Sequence, residues 1–180
     1  MTIRPGTTRS ESNTAVAIRT ARPDDADAVR AVLEASYPAL MAGAYPPAVL
    51  AALLPRMVDA NPRLLGSGRY YLAEVAGAVA GCGGWSRERP GGGAAEPGLG
   101  HIRHFAVRAD RAGRGIGRAL MQRCLAEARA DGVVLLECYA SLNAEGFYRA
   151  MGFRTVGPLD VRMGPGPALP SMLMRRPVGA

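Results

Sequence analysis

Three glycines at alternate positions, Gly113, Gly115 and Gly117, stand between an apolar, β-prone segment (residues 101–107) and a run with apolar residues at Ile116, Leu120, Met121, Cys124, Leu125 and Ala128. The second run has the spacing of an amphipathic helix. A strand that feeds a glycine-rich loop at a helix N-terminus presents free backbone N–H groups and the positive end of the helix dipole, which together suit phosphate. Glycine serves there because a Cβ would hold phosphate oxygens away from the amides, and because it adopts positive φ without strain. The Gly-x-x-x-x-Gly-Lys-Ser/Thr phosphate loop is excluded, since the chain contains no lysine. The dinucleotide pattern Gly-x-Gly-x-x-Gly also fails, with Arg118 and Leu120 where its last glycine would fall. A glycine-rich turn without a ligand is the competing reading.

The elements that must position this loop follow from pattern and punctuation. Residues 1–14 read as a flexible polar tail and residues 15–180 as one domain. A strand over 15–19 leads to a helix opening at Pro23, with Asp24, Asp25 and Asp27 in its first turn, a buried stripe of Val29, Val32, Leu33 and Ser36 or Tyr37, and a stop at Pro38. A second short helix carries Val49, Leu50, Leu53 and Leu54, is interrupted at Pro55, and the helical region ends at Asn61-Pro62. Strands over 69–75 and 78–85 meet at an Ala76-Gly77 turn, and a Gly/Pro-rich loop covers 87–98. Then come a strand over 100–107, the glycine loop, and a helix to about Asp131. The continuous apolar run 133–139, broken by Glu137, reads as a central strand. A helix over 143–151 capped by Gly152 and strands over 153–159 and 171–176 complete a mixed α/β layer fold.

Composition narrows the partners. The net charge is +7, but the arginines are spread along the chain rather than gathered in a block, so an anionic small ligand is expected and nucleic acid is not. No apolar run approaches a membrane span, and residues 1–14 lack the apolar stretch of a secretory signal. The three cysteines, Cys82, Cys124 and Cys138, are odd in number and widely spaced, which argues against a disulfide framework and against a metal site and points to a cytoplasmic setting.

The loop Ala112-Gly113-Arg114-Gly115-Ile116-Gly117 resembles the coenzyme A loop of GNAT-family N-acetyltransferases, Arg/Gln-x-x-Gly-x-Gly/Ala, with Ala112 at its first position and Arg111 and Arg114 near enough to supply charge. The segment from Ser141 to Phe153, containing Asn143, Phe147-Tyr148 and Gly152-Phe153, resembles that family's second signature, in the correct order. The resemblance covers about residues 15–176. It implies a single-domain α/β fold of this family, with a mixed central sheet of about six or seven strands, helices on both faces, and a splay between two central parallel strands that admits the pantetheine arm of acetyl-CoA. It further implies coenzyme contacts from Phe105, Ala106 and Val107 at the strand end. Backbone amides of Ala112, Gly113, Arg114, Gly115, Ile116, Gly117 and Arg118 would hold the pyrophosphate, and Asn143 and Phe147 would lie beside Tyr148. A homodimer is compatible with the resemblance.

Acyl transfer from a thioester to an amine needs a neutral amine, a polarised carbonyl, a stabilised oxyanion and a proton for the departing thiolate. Tyr148 matches the family position of the general acid; a phenol of pKa about 10 can protonate a thiolate of pKa about 8.5. Where the family's histone-acetylating branch carries a strand glutamate this chain has His101, a candidate general base, with His104 and Glu137 as competitors and solvent water as a further route. On simple alternation His101 shares a strand face with Arg103, Phe105 and Val107, and His104 faces away. Cys138 could form an acyl-enzyme, but no histidine is near it in sequence, and direct transfer in a ternary complex is preferred. Trp85, Tyr70, Tyr71, Tyr37 and Tyr45 are candidates for the acceptor side, with core packing as the alternative. The expected activity is acetyl transfer from acetyl-CoA to a primary amine of a small molecule or peptide. A non-catalytic acyl-CoA sensor or protein-interaction module is the alternative.

Overall fold

The computed structural model describes residues 15–179; the tail expected over 1–14 lies outside the described residues. In chain order the elements are β1 (Val16–Thr20), α1 (Ala26–Met41), α2 (Pro47–Met57), α3 (Pro62–Leu65), β2 (Tyr70–Val75), β3 (Ala78–Ser86), β4 (Leu99–Val107), α4 (Ile116–Ala130), β5 (Leu135–Ser141), α5 (Glu145–Ala150), β6 (Arg154–Val161) and β7 (Leu169–Pro177). They build one seven-stranded sheet in the order β1-β2-β3-β4-β5-β7-β6. Only β4 and β5 run parallel; the other neighbours are antiparallel. The mixed sheet with helices on both faces agrees with the expected fold class.

Each face carries its own core. Ile116, Leu120, Met121, Cys124 and Ala128 of α4 pack with Trp85, Ile102, Leu136 and Cys138 on one side. Val29, Val32 and Leu33 of α1 pack with Tyr70, Leu72, Cys82 and Ala106 on the other. The period-3.6 stripes read from the sequence are therefore the buried faces of both helices. A third cluster joins Leu50, Leu53 and Met57 of α2 to Met41, Tyr45 and Leu169.

Two prolines expected to break helices do not. α1 continues through Pro38 to Met41 and α2 through Pro55 to Met57. A proline deprives the carbonyl four residues earlier of its donor. Here both prolines, and Glu34 and Ala51 that precede them by one turn, are exposed, so water can serve those carbonyls. Asn61-Pro62 does not end the helical region either: the Asn61 side chain accepts from the N–H groups of Arg63 and Leu64 and caps α3, with Pro62 at its first position. β5 starts two residues later than the apolar run implies. Its register begins at Leu99↔Leu135 and extends along β7 to Ser141↔Ser171, which leaves Val134 66% exposed.

Two features shape the centre of the sheet. The parallel pairing of β4 with β5 covers only Leu99↔Leu135, Gly100↔Leu136 and His101↔Glu137, after which the strands part. On its other edge β4 stays paired with β3, but the register slips: Gly84 faces Arg103 and Cys82 faces Ala106, so His104 and Phe105 together oppose Gly83. His104 takes φ +40° at this bulge. The Tyr70 hydroxyl captures the displaced carbonyl by donating to His104 O at 2.8 Å.

The bulge overturns the alternation expected for β4. Phe105 and Val107 lie with Ile102 in the α4-side core, whereas Ala106 lies on the α1 side. The extra residue shifts every later side chain to the opposite face from simple counting. Gly83 makes room for this, since a Cβ there would meet the Phe105 ring at 2.4–2.9 Å. Gly83→Ala is expected to destabilise the fold by about 1–3 kcal/mol through overpacking. The check is the urea midpoint, and an unaltered midpoint would show that Phe105 is not held against β3.

Candidate active site at the fork between two strands

Residues 109–111 form a short 3-10 turn after β4, and Gly115 precedes α4 as its N-cap in the left-handed conformation. Gly113 and Gly115 have φ +76° and +79°, and no atom lies within 4 Å of where a Cβ would stand on either. The first helical bond beyond the cap runs from Ala119 N–H to Gly115 O. The amides of Ile116, Gly117 and Arg118 thus belong to the first turn, which has no intrahelical acceptors. An open cradle of forward-facing amides, with Arg111 and Arg118 beside it, fits the phosphate groups of a coenzyme. Gly117 has a different task, for its Cβ would stand 3.0 Å from the Phe147 ring.

That ring belongs to an aromatic cluster bridging the fork. Phe105 on β4 lies 5.6 Å from Phe147 and 6.4 Å from Tyr148, both on α5, and Tyr148 lies 5.5 Å from Phe153 (centroid distances). α5 is a single short helix after a 3-10 turn at Leu142–Ala144, and Gly152 follows it at φ +83°. Edge-to-face contacts fix the Tyr148 ring, while its hydroxyl makes no hydrogen bond among the described residues. Burial pushes this phenol well above its ordinary value, so it stays protonated at neutral pH.

Two cavities meet at this cluster. One, of about 490 Å³, runs from the glycine loop to the fork. Phe105, Ala106, Val107, Ala112, Gly113, Gly115, Ile116, Gly117, Arg118, Asn143, Phe147 and Tyr148 all line it; of the residues expected to hold the coenzyme, Arg114 does not. The other, of about 460 Å³, opens on the far side between β4, β5, α2 and the β6–β7 loop. Tyr37, Met41, Phe105, Ser141, Ala144 and Tyr148 line both. Sequence reading missed the contribution of α1, which brings Ser36, Leu40 and Met41 to the first cavity, and that of Arg56, Arg103 and Arg162 to the second. No local motif marks them, because they come from elements far apart in the chain.

His101 lies elsewhere. It is 2% exposed, lines neither cavity, and sits at the last paired position before the strands part. Its Nδ1 is 3.5 Å from Glu137 Oε2 without a hydrogen bond, and Glu137 Oε1 accepts from Arg175 Nε at 2.7 Å. Burial draws the His101 imidazole below its ordinary value against the opposing pull of Glu137. His104, half-buried, does line the second cavity, the side where the acceptor would enter on the sequence expectation, and burial pulls it down to about 4, so it is uncharged at neutral pH. Cys138 lines the same cavity, and burial raises its thiol far above the usual range. Of the aromatics considered for the acceptor side, Tyr37 is there. Trp85, Tyr70 and Tyr71 are core residues 1% exposed, and the Tyr45 hydroxyl donates to Pro170 O and accepts from Leu142 N–H.

The acetyltransferase (GNAT) family profile matches residues 29–153. No curated protein matches the chain by sequence. Among solved structures, a GCN5-related N-acetyltransferase from Rhodopseudomonas palustris superposes with a TM-score of 0.73 at 24% identity, covering 89% of this chain and 94% of its own. The PaiA N-acetyltransferase from Thermoplasma acidophilum, solved with coenzyme A, gives 0.67 at 14% identity over 91% and 99%. A GNAT-family acetyltransferase from Brucella melitensis, solved with acetyl-CoA, gives 0.58 at 24% identity over 93% and 91%. The overall fold is thus shared with these N-acetyltransferases, and the family profile spans more than half of the chain. This chain is a member of the GNAT family of acetyl-CoA-dependent acetyltransferases.

Proposed function

We propose that the protein transfers the acetyl group of acetyl-CoA directly to a primary amine of a small molecule or peptide, with Tyr148 as general acid. The observation that carries this reading is the position of Tyr148: it lines both cavities where they join, and its hydroxyl makes no hydrogen bond among the described residues. Acetyl-CoA supplies the acetyl group as a thioester. The glycine loop and the first turn of α4 hold its phosphates. The α4 side of the fork, closed by Phe105 and Phe147, keeps water from the reacting end.

Desolvation keeps the Tyr148 proton in place until a thiolate forms beside it. The same desolvation raises that thiolate, so donor and acceptor shift in the same direction. Cys138 stays protonated where it is buried, which favours direct transfer over an acyl-cysteine. The amine proton passes to water in the acceptor-side cavity, next to the uncharged His104. His101 acts through the fork, as a positioning residue at its closed end, and not on the amine.

The test is titration calorimetry with acetyl-CoA, followed by measurement of released coenzyme thiol across a panel of primary amines. Saturable binding with amine-dependent thiol release is the expected result. Binding with no release for any amine would make the protein a coenzyme sensor, and no binding would overturn the reading of the glycine loop.

A further inference from the structure

The acceptor-side cavity gathers charge of one sign. Arg56 on α2, Arg103 on β4 and Arg162 just after β6 all line it, and among the described residues no aspartate or glutamate does. Among the described residues none of these three guanidiniums has a carboxylate within ion-pair distance, whereas Arg19, Arg69, Arg87 and Arg175 each hold one. Arg103 is half-buried, and its Nη1 donates to Ser86 Oγ at 2.8 Å, which fixes the direction of the head group. Burial works against its charge, with Glu88 supporting that charge from beyond contact distance. Arg56 Nη1 donates to Pro165 O at 2.8 Å and so ties α2 to the β6–β7 loop beside the cavity. Arg162 is exposed and makes no hydrogen bond among the described residues. The remaining polar lining among the described residues, which includes Tyr139, Ser141, Ser171 and His104, is uncharged at neutral pH.

Positive groups held in a concave site without counter-ions are arranged for an anion that arrives with the ligand. We propose that the acceptor is a small primary amine that itself carries an acid group, a carboxylate or a phosphonate, gripped by Arg103 and Arg162 with Arg56 at the rim while the amine faces Tyr148. This rests on the acetyl-transfer reading above. The same cations disfavour polyamines and other multiply cationic acceptors by like-charge repulsion. They also favour the neutral form of the bound amine, the form that attacks, in a cavity to which the described residues bring no carboxylate.

The experiment compares kcat/KM from thiol release for α-amino acids, their carboxamides, aminoalkylphosphonates and spermidine. The carboxamide keeps the shape of the amino acid and removes its charge. Its amine deprotonates more easily, so intrinsic reactivity runs against the expected outcome. The acids are expected to exceed the matching amides by about tenfold or more, mainly through KM. That ratio is expected to shrink in Arg103→Gln and, separately, in Arg162→Gln, an exposed position whose variant does not depend on core packing.

The carboxylate and phosphonate arms tell which acid is taken. Amides or spermidine turned over as well as the acids would overturn the charge inference and leave acetyl transfer standing. A ratio unchanged in both variants would overturn the assignment to these arginines. No thiol release with any amine would overturn the acetyl-transfer reading and this one with it.

Discussion

Tyr148→Phe is expected to lower kcat by about 10²–10⁴-fold, the range of a lost general acid, while the Kd for acetyl-CoA stays within about twofold. Phenylalanine keeps the ring contacts of Tyr148 with Phe147 at 5.3 Å and Phe153 at 5.5 Å, so the fork remains closed. The hydroxyl it loses makes no hydrogen bond among the described residues, so thermal stability should not fall. What disappears is the protonated oxygen at the junction of the two cavities. Single-turnover and steady-state kinetics, set beside calorimetric Kd values, separate the two effects. Turnover equal to that of the parent protein would remove Tyr148 from the chemistry and leave it a packing residue.

Gly115→Val is expected to act on the opposite side of the ledger, weakening acetyl-CoA binding by about 10–100-fold with a smaller change in kcat at saturation. A β-branched residue at φ +79° carries strain of about 1–3 kcal/mol, and each 1.4 kcal/mol is tenfold in Kd where binding demands that conformation. The side chain would also project into space that no protein atom fills within 4 Å of the new Cβ, the space assigned to the phosphates. Gly117→Val makes a useful contrast, because its Cβ strikes the Phe147 ring and should disturb the aromatic bridge as well as the coenzyme. An unchanged Kd in Gly115→Val would mean that the cradle between Gly113 and α4 does not hold phosphate.

Much of this site was legible in the sequence because it is locally encoded. Alternate glycines before an amphipathic run specify a turn and a helix start within a few residues, and the structure places α4 at Ile116 as that pattern requires. The Phe147-Tyr148 pair ahead of Gly152 likewise marks a short helix with a left-handed end. The stripe of α1 was readable for the same reason, since helical periodicity states which face must be covered. The continuations through Pro38 and Pro55 were not readable, because they depend on whether the carbonyl one turn earlier faces water.

The residues 101–107 show where sequence ceases to decide. Their alternation assigns one face to His101, Arg103, Phe105 and Val107. The bulge opposite Gly83 divides that set, and the buried ladder with Glu137 keeps His101 out of the cavity. Local sequence was enough for the helix N-terminus, the glycine cradle, the tyrosine on α5 and the family, since short-range spacing and turn chemistry carry that information. It took the assembled fold to set where β4 leaves β5, which histidine lines the second cavity, and that arginines from α2, β4 and the end of β6 share it. Strand register and the meeting of distant elements are set by packing across the whole sheet, which no local stretch of chain contains.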